Sequence, residues 1–317
     1  MSSNFKIKNL ISVVTPTFNE EKNIKTLVYS VKEEMSKLNY QYEHIIIDNC
    51  STDSTQSIIK EICEKEKNVK AIFNLKNFGH IRSPYYALLQ CSGAAAIILA
   101  ADMQDPPEKI SELIKKWEQG FDIVFLKRNQ SDEKFFLEFI KKKYYKFISL
   151  LSKTKLTTGT TGSGLYDKKI IEIFRNLNDP YPYLRGLPTE FTDKITSVDF
   201  HQQLRKYGKS KNKLYDLYDI GILGIIKHSV FPLRVIIFIG FILSLVSFLT
   251  AVVYFFFKLI KFQDYQLGIA SVAIGLFFFS SIQIFFLGII GEYINSLFMH
   301  IRSLPLVVEK ERINFEN

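Results

Sequence analysis

The chain of 317 residues is long enough for one sizeable domain with appendages. Its net charge of +9 and pI near 9.2 favour an anionic partner, whether nucleic acid, acidic lipid or a phosphorylated substrate. The three cysteines (Cys50, Cys63, Cys91) are odd in number and lack metal-ligand spacing, which excludes a disulfide framework and fits a reducing compartment.

Ile11–Thr15, His44–Asp48, Val69–Phe73, Ala95–Ala101 and Asp122–Leu126 are short apolar runs of the kind that form buried parallel strands. Between them, Glu21–Lys37, Ser54–Lys65, Ile81–Cys91 and Pro107–Gln119 carry apolar residues at helical spacing. Asp53-Ser54 and Asp105-Pro106-Pro107 read as helix starts, a capping side chain followed by proline in the second case. This β-α-β-α order predicts an open, doubly wound, mostly parallel α/β sheet, whose ligands bind beyond the C-terminal ends of the strands.

Phe135–Leu151 has an aromatic face (Phe136, Ile140, Tyr144, Phe147, Leu151) beside a lysine-rich one, so it suits either a membrane-interface helix over about 135–152 or a helix packed on the domain. Gly159–Lys169 and Asp179–Glu190, rich in Gly, Pro and Thr, read as loops near a site. Leu204–Lys213 is a strongly basic loop, and Leu214–His228 is expected as an amphipathic lead into a membrane. Two uncharged apolar runs follow, Val235–Phe257 and Leu267–Ile290. Each reaches roughly 35 Å as a helix, enough for a hydrocarbon core of about 30 Å. Lys227 and Arg234 precede the pair and Arg302, Lys310 and Arg312 follow it, while the connector carries Lys258, Lys261 and Asp264. Positive flanks at both outer ends predict a hairpin with both termini in the cytoplasm. The expected organisation is therefore a cytoplasmic domain over 1–212, a juxtamembrane segment over 213–230, two spans within 231–297 (about 232–257 and 267–291) and a cytoplasmic tail over 298–317, all at the inner membrane. With a membrane hairpin present, lipid phosphate is a better partner for the positive charge than nucleic acid, and none of the latter is expected.

No Gly-x-Gly-x-x-Gly follows the first strand and no Walker-type loop occurs, which disfavours dinucleotide and P-loop chemistry. Carboxylates and amides cluster at the strand ends instead. Asp48 at the second strand could accept hydrogen bonds from a base or ribose, and Asp102 at the fourth could hold a divalent cation against a diphosphate. Acidic residues in such positions also serve simply as helix caps.

Several segments together resemble family 2 (GT-A fold) glycosyltransferases, and within them the polyprenyl-phosphate group that includes dolichol-phosphate mannose synthase and bactoprenol glucosyltransferases. They are Val14-Thr15-Pro16-Thr17-Phe18-Asn19-Glu20-Glu21, Ile47-Asp48-Asn49-Cys50-Ser51-Thr52-Asp53, Asn77-Phe78-Gly79-His80, Asp102-Met103-Gln104-Asp105-Pro106-Pro107-Glu108, Tyr183-Leu184-Arg185-Gly186, and Arg205-Lys206-Tyr207-Gly208-Lys209-Ser210-Lys211 ahead of the hairpin. The resemblance implies a GT-A (Rossmann-like, mostly parallel) catalytic domain and inverting transfer of a sugar from a UDP- or GDP-linked donor to a polyprenyl phosphate. It places Pro16, Thr17, Asn19, Glu20, Asp48, Ser51, His80 and Asp102 around the nucleotide sugar, and Asp102 with Gln104 on Mg²⁺ or Mn²⁺. It further places Arg128, Arg205, Lys209, Ser210 and Lys211 on phosphates, and Asp102, Asp105, Arg185 and Glu190 in catalysis. A homo-oligomer is implied as well. Two departures stand out. Ala100 occupies the first position of the usual Asp-x-Asp, and Asp48-Asn49-Cys50-Ser51 replaces Asp-Asp-Gly-Ser.

A lipid-phosphate acceptor also suits the chemistry. A sugar hydroxyl needs a general base, whereas a phosphate monoester is largely dianionic at pH 7 and attacks unaided. The rival readings are a processive polysaccharide synthase and a catalytically weak membrane scaffold of the same fold. The former usually carries Gln-x-x-Arg-Trp, whereas the single tryptophan here, Trp117, lies in the helix after the fourth strand.

Overall fold

The structure is a computed structural model that describes residues 9–128, 160–177, 179–184, 186–201, 231–260, 269–302 and 304–315. The chain divides into two units, Met1–Gly224 with Arg302–Asn317, and Ile225–Ile301.

The first unit is built on strands β1 (Leu10–Thr17), β2 (Gln41–Asp48), β3 (Val69–Asn74), β4 (Ala95–Ile98), β5 (Ile123–Arg128), β6 (Thr160–Asp167), β7 (Ile195–Phe200) and β8 (Glu309–Ile313). They form one sheet in the order β7-β5-β6-β4-β1-β2-β3-β8. β6 and β8 run against the others. The first unit also holds helices α1 (Ile24–Ser36), α2 (Thr55–Lys65), α3 (Gly79–Leu89), α4 (Ile110–Glu118) and α5 (Lys168–Leu177).

Both faces of the sheet are covered, which is why its central strands are almost wholly apolar. Ile11, Val13, Ile46 and Phe73 pack with Ile24 and Leu27 of α1, Ile59 of α2 and Leu113 of α4 on one face. On the other, Val14, Ile45, Ile47 and Ile72 meet Tyr85 and Leu88 of α3 and Ile170 and Phe174 of α5. The Tyr85 hydroxyl donates to the Phe174 carbonyl at 3.0 Å, so this buried ring has its polar atom satisfied.

The expected strands and helices of the first half are all present, with shifted ends. α1 begins at Ile24 rather than Glu21 because the Glu20 carbonyl already accepts the Asn23 and Ile24 amides in a turn. β4 stops at Ile98, ahead of the turn that carries Asp102. Gly159–Lys169, expected as a loop, instead forms β6 and the start of α5. Its Gly164 lies at φ +141°, and a Cβ there would come within 2.2 Å of the Val124 carbonyl oxygen, so β5 and β6 pair only around a glycine. The 298–317 segment, expected as a tail, is also more than that: β8 pairs antiparallel to β3 and completes the sheet. The Phe135–Leu151 helix, the Leu204–Lys213 loop and the Leu214–His228 segment lie outside the described residues.

The second unit contains two long helices, α6 (Phe231–Ile260) and α7 (Ile269–Ile301). Among the described residues, Phe278–Ile301 is long and apolar enough to cross a membrane, and Leu233–Leu243 is a shorter apolar stretch.

Candidate active site

The chain runs from β1 outward through β2 and β3, then returns to place β4 on the other side of β1. The strand order reverses at β1/β4, and a crevice opens at such a point beyond the C-terminal strand ends. The turns after β1, β2 and β4, carrying Pro16–Glu20, Asp48–Thr55 and Ala100–Asp105, all lie at that edge.

The first two turns are zipped together. The Asn19 amide donates to Ser51 Oγ at 2.8 Å, Thr52 N–H donates to Asn19 Oδ1 at 2.7 Å, and Glu20 N–H donates to Thr55 Oγ1 at 2.9 Å. Asn19 holds φ at +55°, a left-handed position that asparagine tolerates. Pro16 is half-buried, and the Thr17 hydroxyl is buried with no hydrogen-bond partner among the described residues. Asp48 is fully buried. Its carboxylate accepts from Ser51 N–H at 3.0 Å, from Ser51 Oγ and from Gln56 Nε2 at 2.7 Å. These bonds shape the loop that presents Ser51.

Asn49 explains its own departure from the family pattern. Its Nδ2 donates to Asn77 Oδ1 at 2.8 Å and to the Gly79 carbonyl at 3.2 Å. Its Oδ1 accepts from Asn74 Nδ2 at 3.1 Å and from Phe78 N–H at 2.9 Å. A carboxylate could accept but not donate, so only an amide closes this network. The side chain thereby joins the turn after β2 to the Asn77-Phe78-Gly79-His80 turn, and His80 is exposed at the start of α3. Cys50, where the family has glycine, sits at φ +65° with its thiol 3.8 Å from the Leu75 carbonyl.

In the third turn, Asp102 Oδ1 accepts the Gln104 amide at 3.1 Å, and Met103 between them adopts φ +61°. Asp105 points the other way. It is 2% exposed, and its Oδ2 accepts from Ser163 Oγ on β6 at 2.6 Å and from Ala100 N–H at 3.2 Å. Burial raises its pKa above the usual carboxylate range, opposed by those two hydrogen bonds and by the Arg128 guanidinium at the end of β5. These bonds tie the turn after β4 to β6. Glu190 is exposed at the end of the short helical turn Leu187–Glu190. Arg185, Arg205, Lys209, Ser210 and Lys211 lie outside the described residues.

Asp102 and Gln104 carry hard oxygen donors two residues apart on one turn. Among the described residues no group of three His, Cys, Asp or Glu gathers around a point. This donor set fits a divalent cation whose remaining ligands come from a diphosphate and water, as Mg²⁺ prefers. Sequence reasoning passed over Ser163, hidden in the glycine-rich β6 segment. It also passed over Arg82 on α3, whose Nε–H donates to the Pro180 carbonyl at 3.0 Å and ties α3 to the loop ahead of Arg185. A chain position inside a helix gave no sign of that tie.

The glycosyl transferase family 2 model matches residues 12–174. An uncharacterized glycosyltransferase of Synechocystis is 30% identical over 93% of this chain and 93% of its own length. A prophage-derived bactoprenol glucosyl transferase of Shigella flexneri is 28% identical over 95% of this chain and 97% of its own. Among solved structures, glucosyl-3-phosphoglycerate synthase from Mycobacterium tuberculosis, crystallised with Mn²⁺, UDP and phosphoglyceric acid, is similar at a TM-score of 0.48 and 17% identity, over 69% of this chain and 76% of that one.

Proposed function

Because the chain belongs to glycosyl transferase family 2, we propose that it transfers a sugar, with inversion, from a nucleotide-sugar donor to a membrane polyprenyl phosphate. The observation that carries this reading is similarity over almost the whole length, apolar C-terminal helices included, to bactoprenol glucosyl transferases.

The donor nucleotide would lie in the crevice at β1/β4, against the zipped turns of Pro16–Glu20 and Asp48–Thr55, with His80 at the rim. Asp102 and Gln104 would hold a Mg²⁺ or Mn²⁺ ion, which when bound supplies positive charge to the departing diphosphate. The acceptor phosphate is already anionic, so the protein's task is to align it and offset repulsion between two phosphates. Arg128 with Arg185, Arg205, Lys209, Ser210 and Lys211 supplies the cations and donors for this, and Arg fits phosphate oxygens in a bidentate fork. Asp105 keeps the Asp102 turn in place from behind.

The hairpin reading rests on α6 and α7. β8 belongs to the same sheet as β1–β7, so the chain leaves the first unit and comes back to it. Two spans return a chain to the side it left, in keeping with a multi-pass membrane protein, and the basic residues at both outer ends favour the cytoplasm for the catalytic unit. Incubating purified protein with a panel of nucleotide sugars, a divalent cation and polyprenyl phosphate, then weighing the lipid product, tests the function. A hexosyl-phosphoryl lipid is expected; nucleotide release without any lipid product would refute the assigned acceptor.

A further inference from the structure

Outside the two long helices, the large apolar side chains exposed among the described residues are Tyr29, Leu75, Leu177, Leu304 and Val308. Singly exposed apolar residues mean little. Two of these, however, Leu75 and Val308, meet at one edge of the sheet, and Leu304 lies four residues ahead of Val308. The Leu75 amide donates to the Val308 carbonyl at 2.9 Å, joining the turn after β3 to the residue ahead of β8. Leu75 is 59% exposed, Val308 43% and Leu304 42%. Beneath them the chain is anchored: Val307 is 5% exposed and Leu306 packs against the core.

Cations frame these apolar tips. Lys76 is exposed next to Leu75, its ammonium 5.2 Å from the centre of the Phe78 ring, and Lys310 is exposed two residues beyond Val308. Apolar tips within a basic frame match a surface that is oily beneath and anionic above. Chain continuity points to the same surface. Leu304 follows Ile301, the last residue of α7, by at most about 11 Å of extended chain.

We propose that Leu75, Leu304 and Val308, flanked by Lys76 and Lys310, form a docking edge that seats in the headgroup region of an anionic bilayer. This rests on the reading of α6 and α7 as membrane-spanning. The edge adjoins the candidate site, since the Leu75 carbonyl also receives the Cys50 thiol. Docking there would hold the donor turns close to the lipid surface from which the acceptor comes.

Depth-resolved tryptophan quenching in the full-length protein tests it. Leu75→Trp and Val308→Trp are placed at exposed positions that tolerate a larger ring, and the parent protein, whose single Trp117 lies on α4, gives the background. Each is reconstituted in vesicles of phosphatidylcholine and phosphatidylglycerol whose acyl chains are brominated near the headgroup. At least twofold quenching of the added tryptophan, weaker in vesicles lacking phosphatidylglycerol, is expected. No quenching at either position overturns the proposal, as does a concentration-dependent blue shift without quenching, which would mark a second protein copy as the occupant. Leu287→Trp in α7 separates the two readings: quenched there by mid-chain bromines but not at 75 or 308, only the docking edge fails; unquenched everywhere, the membrane reading fails first.

Discussion

Ser163 on β6 donates a 2.6 Å hydrogen bond to the buried carboxylate of Asp105, five residues past Ala100 and three past Asp102. An antiparallel strand thus fixes a turn that belongs to its parallel neighbour. Ser163→Ala leaves Asp105 with one donor fewer in a dry setting and should cost about 1–3 kcal/mol of stability. It should also raise the divalent-cation concentration needed for half-maximal turnover, because the Asp102 turn loosens. Thermal melting and a cation titration check both; an unchanged titration would confine the bond to a structural role.

Asp102→Ala removes the carboxylate proposed to hold the cation and is expected to abolish transfer while the melting temperature changes little. Ala100→Asp adds an anionic ligand two residues away and should tighten cation binding. Calorimetric titration with Mn²⁺ reads this without any turnover assay. Full activity of Asp102→Ala would place the cation elsewhere.

Asn49→Asp is the conservative change toward the family pattern, and here it should be harmful. Two donated hydrogen bonds become contacts between acceptors, at about 1–3 kcal/mol. Chemical denaturation should show the loss, and donor KM should rise more than kcat falls, since the tie between the turns after β2 and β3 slackens.

Cys50→Gly, by contrast, should stabilise by about 0.5–1 kcal/mol. The φ of +65° strains any side chain, and the gain is offset in part by the extra freedom of glycine in the unfolded chain. Of the three cysteines only Cys50 is not buried, so alkylation rate reports on this loop, and donor nucleotide should slow it.

His44 is fully buried, and desolvation lowers its pKa to about 3. Its ring bonds Thr15 Oγ1 at 2.8 Å in the neutral form. The unfolded chain binds a proton near pH 6.5 and the folded one does not. Stability is therefore fully present above about pH 6.5 and falls as the pH drops toward 3, by about 2 kcal/mol at pH 5. Denaturation at pH 7.5 and pH 5 should show the difference, and His44→Gln should lose most of it.

Much of this was legible in the sequence where local pattern and burial agree. The all-apolar Ile45-Ile46-Ile47 run and the Ile59 and Ile62 spacing need no tertiary knowledge to read as strand and helix. β6 was hidden because Gly162 and Gly164 carry turn chemistry by composition, yet Gly164 is there to let β5 approach. β8 was hidden because Glu309–Ile313 alternates charges and has value as a strand only against β3. At the site, the identity of Asp48 and Asp105 was visible but their orientation was not, since Ser163 and Gln56 come from elsewhere in the chain.

The pairing of β3 with β8 joins residues far apart in sequence, as the Asn314–Val69 contact does, and the Lys60–Glu311 pair ties β8 to α2 as well. During synthesis β3 emerges early, while its outer partner is translated only after both apolar helices have been made. Until then the outer edge of β3 is an open template for foreign strands. The catalytic sheet can therefore close only once the helices have left the ribosome, which ties maturation of the enzyme to synthesis through β8 and leaves stalled chains prone to aggregate.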